Sequence, residues 1–174
     1  MTSCAFITVG TGVGVGIAID GRPIHGLTHP EGGHIMPLKY EGDDYVGWDE
    51  VQHDAIESLI SSRAISERTG VKQSELASVP DSHQVWDIVA YYLAHLCIAI
   101  TYLVSPQVIV LSGGVLKRDC LLPLIRKHFV QLNNNYVSVP KVTSDIDTYI
   151  VKSRFGNDIG LIGAAELARR ELLK

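Results

Sequence analysis

The first 27 residues constrain the fold most strongly, because they alternate short β-branched runs with turns. The runs CAFITV, VGIAI and RPIHGL have the composition of β-strands, and Asp20-Gly21 is a dipeptide that closes a tight hairpin between the last two. We therefore expect residues 5–27 to form a β-hairpin or meander that opens the central sheet.

The rest of the chain predicts helices and strands in alternation. A helical pattern over residues 54–70 ends at Gly70, a typical C-cap residue, and a long apolar helix is predicted over residues 82–104. Four further elements follow: a strand at 107–111, a helix from Pro123, a strand at 148–152 and a helix from Asp158. This order of strand, turn, helix, strand and helix is typical of an α/β protein.

The composition favours one domain with small-molecule partners. A chain of 174 residues with 46% hydrophobic and 20% charged residues can build a substantial core, so we expect residues 1–174 to form a single domain. Fifteen basic and nineteen acidic residues give a net charge of −4, and the chain has no basic run. We therefore expect neither a nucleic acid nor a membrane as partner.

Two features bear on where the protein works. Residues 88–104 carry no formal charge, but the run barely reaches the shortest membrane-spanning length, so a buried core helix is expected. Cys4, Cys97 and Cys120 lie far apart and form no CxxC pair. This cysteine usage is typical of reduced thiols in a cytoplasmic protein.

The sequence GTGVGVG, residues 10–16, predicts a glycine-rich turn between the first two strands. It lacks the GK[ST] ending of a P-loop, and a strand follows it where a dinucleotide-binding fingerprint needs a helix. Glycines in such a turn can direct several backbone N–H groups, together with the Thr11 hydroxyl, at a phosphate group. A phosphate site and a purely structural hairpin are both compatible with this motif.

The segment HPEGGH places Glu31 three residues before His34. A carboxylate accepts two hydroxyl hydrogen bonds and an imidazole can donate one and accept one, which suits the neighbouring hydroxyls of a sugar. His29, Glu31 and His34 could instead ligate a metal, although no HExxH helix or cysteine set accompanies them. A structural loop is the third interpretation.

Two later glycine motifs also have more than one interpretation. Ser112, Gly113 and Gly114 follow a buried strand, where open α/β sheets bind ligands, but they could equally form a tight strand-to-helix turn. In the segment GLIGAA we expect small residues to allow close helix packing rather than to form a ligand loop. These residues are Gly160, Gly163 and Ala164.

Taken together, five segments resemble the ROK family of sugar kinases, and most closely its fructokinase branch. In family order they are ITVGTGVGVGIAIDG, GLTHPEGGHI, AIESLISSRAI, SPQVIVLSGGV and DIGLIGAAELA. The resemblance implies an α/β fold of the ribonuclease-H-like or actin-like ATPase type, with a mixed sheet and flanking helices.

The resemblance also implies ligands and the residues that bind them. The cofactors would be ATP and Mg²⁺, and the substrate a sugar. The nucleotide would contact Thr11 and Gly12 at its phosphates and Gly113 and Gly114 at its adenosine. The sugar hydroxyls would contact Glu31, His34 and Glu57.

The chain departs from the family pattern at several points. The DxGGT phosphate loop and the aspartate that acts as catalytic base are absent, so the chain resembles the carboxyl-terminal lobe of a two-lobed kinase without its amino-terminal lobe. The cysteine-rich zinc motif should fall between residues 40 and 55, which contain no cysteine, so we expect no zinc. Ser112 stands where many relatives have glycine, and Gly32 where many have a bulkier residue.

Two classes of function stay open. The first is the carboxyl-terminal lobe of an ATP-dependent sugar kinase, with fructose favoured, that binds sugar and nucleotide but is inactive alone. The second is a non-catalytic sugar- or nucleotide-binding or dimerisation module, or the lobe of a ROK-type repressor. Because a missing lobe leaves apolar surface exposed, we also expect a homo-oligomer.

Overall fold

A mixed five-stranded sheet forms the centre of the computed structural model, which describes residues 2–172 apart from the Asn157 side chain. The strands are β1 (Cys4–Val9), β2 (Val13–Ile19), β3 (Arg22–Pro23), β4 (Ile109–Ser112) and β5 (Ile150–Lys152). Their order is β3-β2-β1-β4-β5, with β2 antiparallel to both its neighbours and β1, β4 and β5 mutually parallel. The predicted mixed sheet, opened by a meander, is confirmed.

The hairpin between β2 and β3 turns at Asp20-Gly21, as predicted. These residues have φ angles of 51° and 71°, which a two-residue turn needs if it is to follow the twist of its strands. β3 is shorter than the predicted RPIHGL strand. Beyond Pro23, the Ile24 N–H donates one more bond to the Ile17 carbonyl, at 2.8 Å, and the chain then leaves the sheet.

The α-helices in the described part of the chain are α1 (Ile56–Ile60), α2 (Ser62–Thr69), α3 (Val85–Val104), α4 (Leu121–Asn133), α5 (Ile146–Tyr149) and α6 (Ile159–Leu172). The single helix predicted over residues 54–70 is therefore two helices, broken at Ser61, whose ψ is 166°. The break lets the Ser62 N–H donate to the Gly10 carbonyl at 2.7 Å. Gly70 ends α2 in the left-handed conformation, as expected of a C-cap.

Helix α3 lies in the hydrophobic core and packs against α1 and α4. Its fully buried side chains include Tyr92, Leu93 and Leu96, which belong to the same cluster as Ile7 of β1. By length and composition alone α3 could also cross a membrane. Its buried face nevertheless agrees with the core helix predicted from the sequence.

Helix α6 lies on the surface, and the close packing predicted for it is wrong. No described residue of α6 is buried, and Ala164 is exposed. A Cβ added at Gly160 or Gly163 would meet nothing within 4 Å. No described element of this chain covers these small residues.

Candidate functional site

The carboxylate of Glu57 holds the end of the turn between β1 and β2. Its Oε2 accepts a hydrogen bond from the backbone N–H of Val13, the first residue of β2, at 2.7 Å. Glycine at position 12 makes this approach feasible, because a Cβ there would lie 2.6 Å from the same oxygen. Glu57, predicted to bind sugar, therefore also shapes the predicted phosphate turn.

The start of this turn is fixed by α2. The Ser62 N–H donates to the Gly10 carbonyl at 2.7 Å, and the Gly10 N–H donates to the Gly12 carbonyl at 2.9 Å. Within residues 2–172 the N–H groups of Thr11 and Gly12 have no hydrogen-bond partner, and the Thr11 side chain is exposed. Free N–H groups beside a hydroxyl are the donors that an anion site requires.

The loop that carries Glu31 and His34 packs directly on β2. Gly32–His34 form a 3-10 turn, and any Cβ at Gly33 would overlap the Val13 carbonyl. At the start of α1, the Ile56 N–H donates to the carbonyl of Ile35 at 3.0 Å. The structure therefore gathers the predicted sugar-binding residues on elements that surround Val13. These residues are Glu31, His34 and Glu57.

Both polar side chains of this loop have a neighbour. Glu31 Oε1 lies 2.6 Å from His29 Nε2, and both side chains are more than half exposed. His34 Nδ1 lies 2.6 Å from the side-chain oxygen of Gln52. The sequence did not single out Gln52, because one glutamine in a polar loop gives no local signal of its partner.

The residues of this region do not fit a metal site. Across residues 2–172, no group of three or more His, Cys, Asp or Glu side chains is arranged to hold a metal ion. His29, Glu31 and His34 are therefore not assembled as ligands, and residues 40–55 supply no thiolate for zinc. That the purified chain holds no zinc stays a prediction.

A groove of about 630 Å³ borders the tip of the phosphate turn. It is lined by Gly10 and Thr11 from the turn, Ser62 from α2 and Gly114 beyond β4. Its volume lies in the range of small-molecule sites. The predicted phosphate turn and part of the predicted adenosine turn thus meet in one groove.

Trp86 and Arg118 contribute a wall of the groove that the sequence did not reveal. The Arg118 guanidinium carbon lies 4.2 Å from the centroid of the Trp86 ring. Arg118 also pairs with Asp81 and donates to the Leu76 carbonyl at 2.9 Å. Leu76 and Asp81 lie in the polar segment of residues 72–82, whose composition says nothing about what it faces.

Gly113 and Gly114 have different surroundings. Gly114 lines the large groove, whereas Gly113 borders a separate cavity of about 50 Å³. Gly113 has a φ of 104°, and a Cβ there would overlap the backbone of Val9. The structural interpretation therefore suits Gly113, and the ligand-binding interpretation suits Gly114.

The sheet order, the glycine turn and the adjoining groove define one lobe of an actin-like ATPase fold. The chain belongs to the ROK family, whose family model matches residues 1–171. It is 36% identical over 164 residues to the fructokinase of Zymomonas mobilis, a match that covers 94% of this chain and 53% of that protein. The chain thus spans about half the length of the curated relatives it matches.

Solved structures of ROK proteins share this fold. The ROK hexokinase from Thermus thermophilus aligns with a TM-score of 0.75 and 21% identity, over 97% of this chain and 58% of that one. A ROK glucokinase from Streptomyces griseus, in complex with glucose and AMPPNP, aligns with a TM-score of 0.66 and 22% identity, over 97% and 61% of the two chains. These likenesses confirm the predicted fold.

Proposed function

We propose that this chain is the carboxyl-terminal lobe of an ATP-dependent sugar kinase, with fructose as the favoured sugar. The observation that carries the proposal is the position of the turn at residues 10–12. One end of the turn contacts Glu57 and adjoins the loop of Glu31 and His34, while its tip borders the groove. A phosphoryl group that moves from nucleotide to sugar has to pass between two such sites.

In this proposal the nucleotide binds as its magnesium complex in the groove. Its adenosine lies towards Gly114, and its phosphates lie against Thr11 and Gly12. The free N–H groups and hydroxyl of the turn then donate to oxygens of the transferring phosphoryl group, whose negative charge they stabilise. The Arg118 guanidinium, stacked on the buried Trp86 ring and paired with Asp81, forms one wall of this groove.

The sugar binds to acceptors on the other elements around Val13. Glu31, His34 and Glu57 orient its hydroxyl groups, and orientation can lower a barrier by up to about 7–11 kcal/mol. The attacking hydroxyl still needs a general base. We assign that base to an amino-terminal lobe, so the chain alone binds its ligands without phosphorylating the sugar.

The proposal is tested in a fusion that places the unmatched amino-terminal part of the Zymomonas mobilis fructokinase before this chain. His34→Ala should lower kcat/KM for fructose about tenfold or more, because the sugar loses at least one hydrogen bond. The KM for ATP should change little. Thr11→Val should raise the KM for ATP and leave that for fructose nearly unchanged.

Exposed His25 provides the control, because His25→Ala should alter neither KM. The same assay with glucose and mannose identifies the preferred sugar. Equal effects of His34→Ala on both substrates, or none on the sugar, would contradict the assignment of the two sites.

A further inference from the structure

The partner of His34 determines which hydrogen bonds its imidazole can offer. His34 Nδ1 lies 2.6 Å from Gln52 Oε1, and an amide oxygen can only accept a hydrogen bond. A hydrogen bond in this arrangement requires the proton on Nδ1, which leaves Nε2 of the neutral ring as an acceptor. An acceptor at this position is matched to a sugar hydroxyl that donates.

Gln52 is itself held on both sides of its backbone. Its N–H donates to Asp49 Oδ1 at 2.7 Å, and its carbonyl accepts from the Ala55 N–H at 3.0 Å. The Asp49 N–H in turn donates to the Ser58 hydroxyl of α1 at 2.9 Å. Hydrogen bonds from the Gln52 and Val51 N–H groups lower the pKa of Asp49, so this anchor stays ionised at neutral pH.

The rest of residues 40–55 is anchored by a buried ion pair. Asp43 and Arg68 have side chains only 3% and 7% exposed, and Tyr92 donates to Asp43 Oδ2 at 2.6 Å. The Arg68 guanidinium also lies 4.2 Å from the centroid of the Tyr45 ring. Asp43 and Tyr45 thus tie the segment in which the family resemblance places zinc-binding cysteines to α2 and α3.

We propose that Gln52 is a positioning residue that fixes His34 as the Nδ1–H tautomer. Hydrogen bonds within residues 40–55, and not a metal ion, hold Gln52 in the position that this requires. The consequence for the sugar rests on the proposed function. His34 Nε2 accepts from one sugar hydroxyl while Glu31 accepts from others, so the site favours a ligand with adjacent donor hydroxyls.

The tautomer can be measured by long-range ¹H–¹⁵N NMR on the ¹⁵N-labelled chain, because protonated and bare ring nitrogens resonate at different frequencies. His34→Ala identifies the His34 signals. The wild-type chain and Gln52→Glu, which keeps an acceptor oxygen, should both show protonated Nδ1. Gln52→Leu should move the population towards Nε2–H. A wild-type ring protonated at Nε2, or a Gln52→Leu spectrum identical to wild type, would overturn the proposal.

Metal binding is tested in the same spectra. One equivalent of zinc chloride, or an excess of EDTA, should leave the His34 signals unchanged. A shift that saturates at one equivalent of zinc would show that a metal takes the place assigned to Gln52. If Gln52→Leu unfolds the chain, the comparison of wild type with Gln52→Glu and the zinc titration still decide the question.

Kinetics in the fused kinase provide the second readout. Gln52→Leu should raise the KM for fructose about tenfold with a smaller change in kcat. Gln52→Glu should bring the KM most of the way back to the wild-type value. The control variant Gln131→Leu, on the exposed face of α4, should change neither constant. A KM that Gln52→Leu leaves unchanged would contradict positioning. The tautomer measurement needs no activity, so protonated Nδ1 in a protein that ignores fructose would refute the proposed function alone.

Discussion

Replacing Asp43 by asparagine should destabilise the folded chain by about 3–5 kcal/mol, the usual cost of removing one partner from a buried ion pair. Arg68 donates two hydrogen bonds to the Asp43 carboxylate, at 2.5 and 2.8 Å, and Tyr92 donates a third at 2.6 Å. Asparagine keeps one acceptor oxygen but leaves the Arg68 charge without its counterion in a site that is almost closed to water.

Urea unfolding followed by tryptophan fluorescence measures this loss in a double-mutant cycle. Asp43→Asn and Arg68→Met should each be costly, whereas the double variant should lose less than their sum by about 2 kcal/mol, because neither charge is left alone. Asp119→Asn removes an exposed pair with Lys152 and should cost less than about 1 kcal/mol. Strictly additive effects at Asp43 and Arg68 would refute the assignment of a coupled buried pair.

The same carboxylate gives a pH dependence with a definite sign. Burial tends to raise the pKa of Asp43, but hydrogen bonds from Arg68 and Tyr92 outweigh it and hold the pKa below the ordinary value of 3.8. Its stabilisation is therefore complete above that ordinary value and is lost as the pH falls through the lowered value of the folded state. Below pH ~4, the Tm of the wild-type chain should fall more steeply with decreasing pH than the Tm of Asp43→Asn. Parallel losses would contradict this reasoning.

Two further predictions concern the phosphate turn and the surface. Glu57→Ala should lower the free energy of unfolding by about 1–3 kcal/mol, because the buried N–H of Val13 loses its partner, and Glu57→Gln should recover most of that loss in urea unfolding. Leu161 and Leu167 of α6 are 75% and 57% exposed, so the chain should self-associate, which light scattering would detect. Replacing both leucines by lysine should weaken the association without lowering Tm. A strictly monomeric wild-type mass at high concentration would count against self-association.

Local sequence signals predicted the elements whose conformation is decided locally. Asp20-Gly21 forms the expected turn because both residues tolerate positive φ, and Gly70 ends α2 for the same reason. The apolar run of α3 is long enough to predict a core helix irrespective of its neighbours. The family resemblance implied a mixed sheet but not the strand order β3-β2-β1-β4-β5, because pairing between distant strands has no local signature.

The parts that sequence reasoning missed depend on distant contacts. The break at Ser61 places the Ser62 N–H on the Gly10 carbonyl, a contact between residues 52 positions apart that no helical periodicity reveals. The bond between His34 and Gln52 and the Trp86–Arg118 wall are likewise tertiary. The packing predicted for α6 is wrong because small residues show that a helix can be approached closely, but not what approaches it.

The central claim is that this chain supplies binding surfaces for sugar and nucleotide but not the catalytic base. The most direct test compares fructose-dependent ATP consumption by the 174-residue chain with that of the same chain fused to the amino-terminal part of a ROK fructokinase. Loss of a general base alone costs about 10²- to 10⁴-fold in rate, so the isolated chain should show no measurable turnover and the fusion should be active. Robust phosphorylation of fructose by the isolated chain would contradict the account and would place the base within it. The first residues to test would then be Glu31 and Asp54, an exposed carboxylate that lies 2.9 Å from Lys39 Nζ.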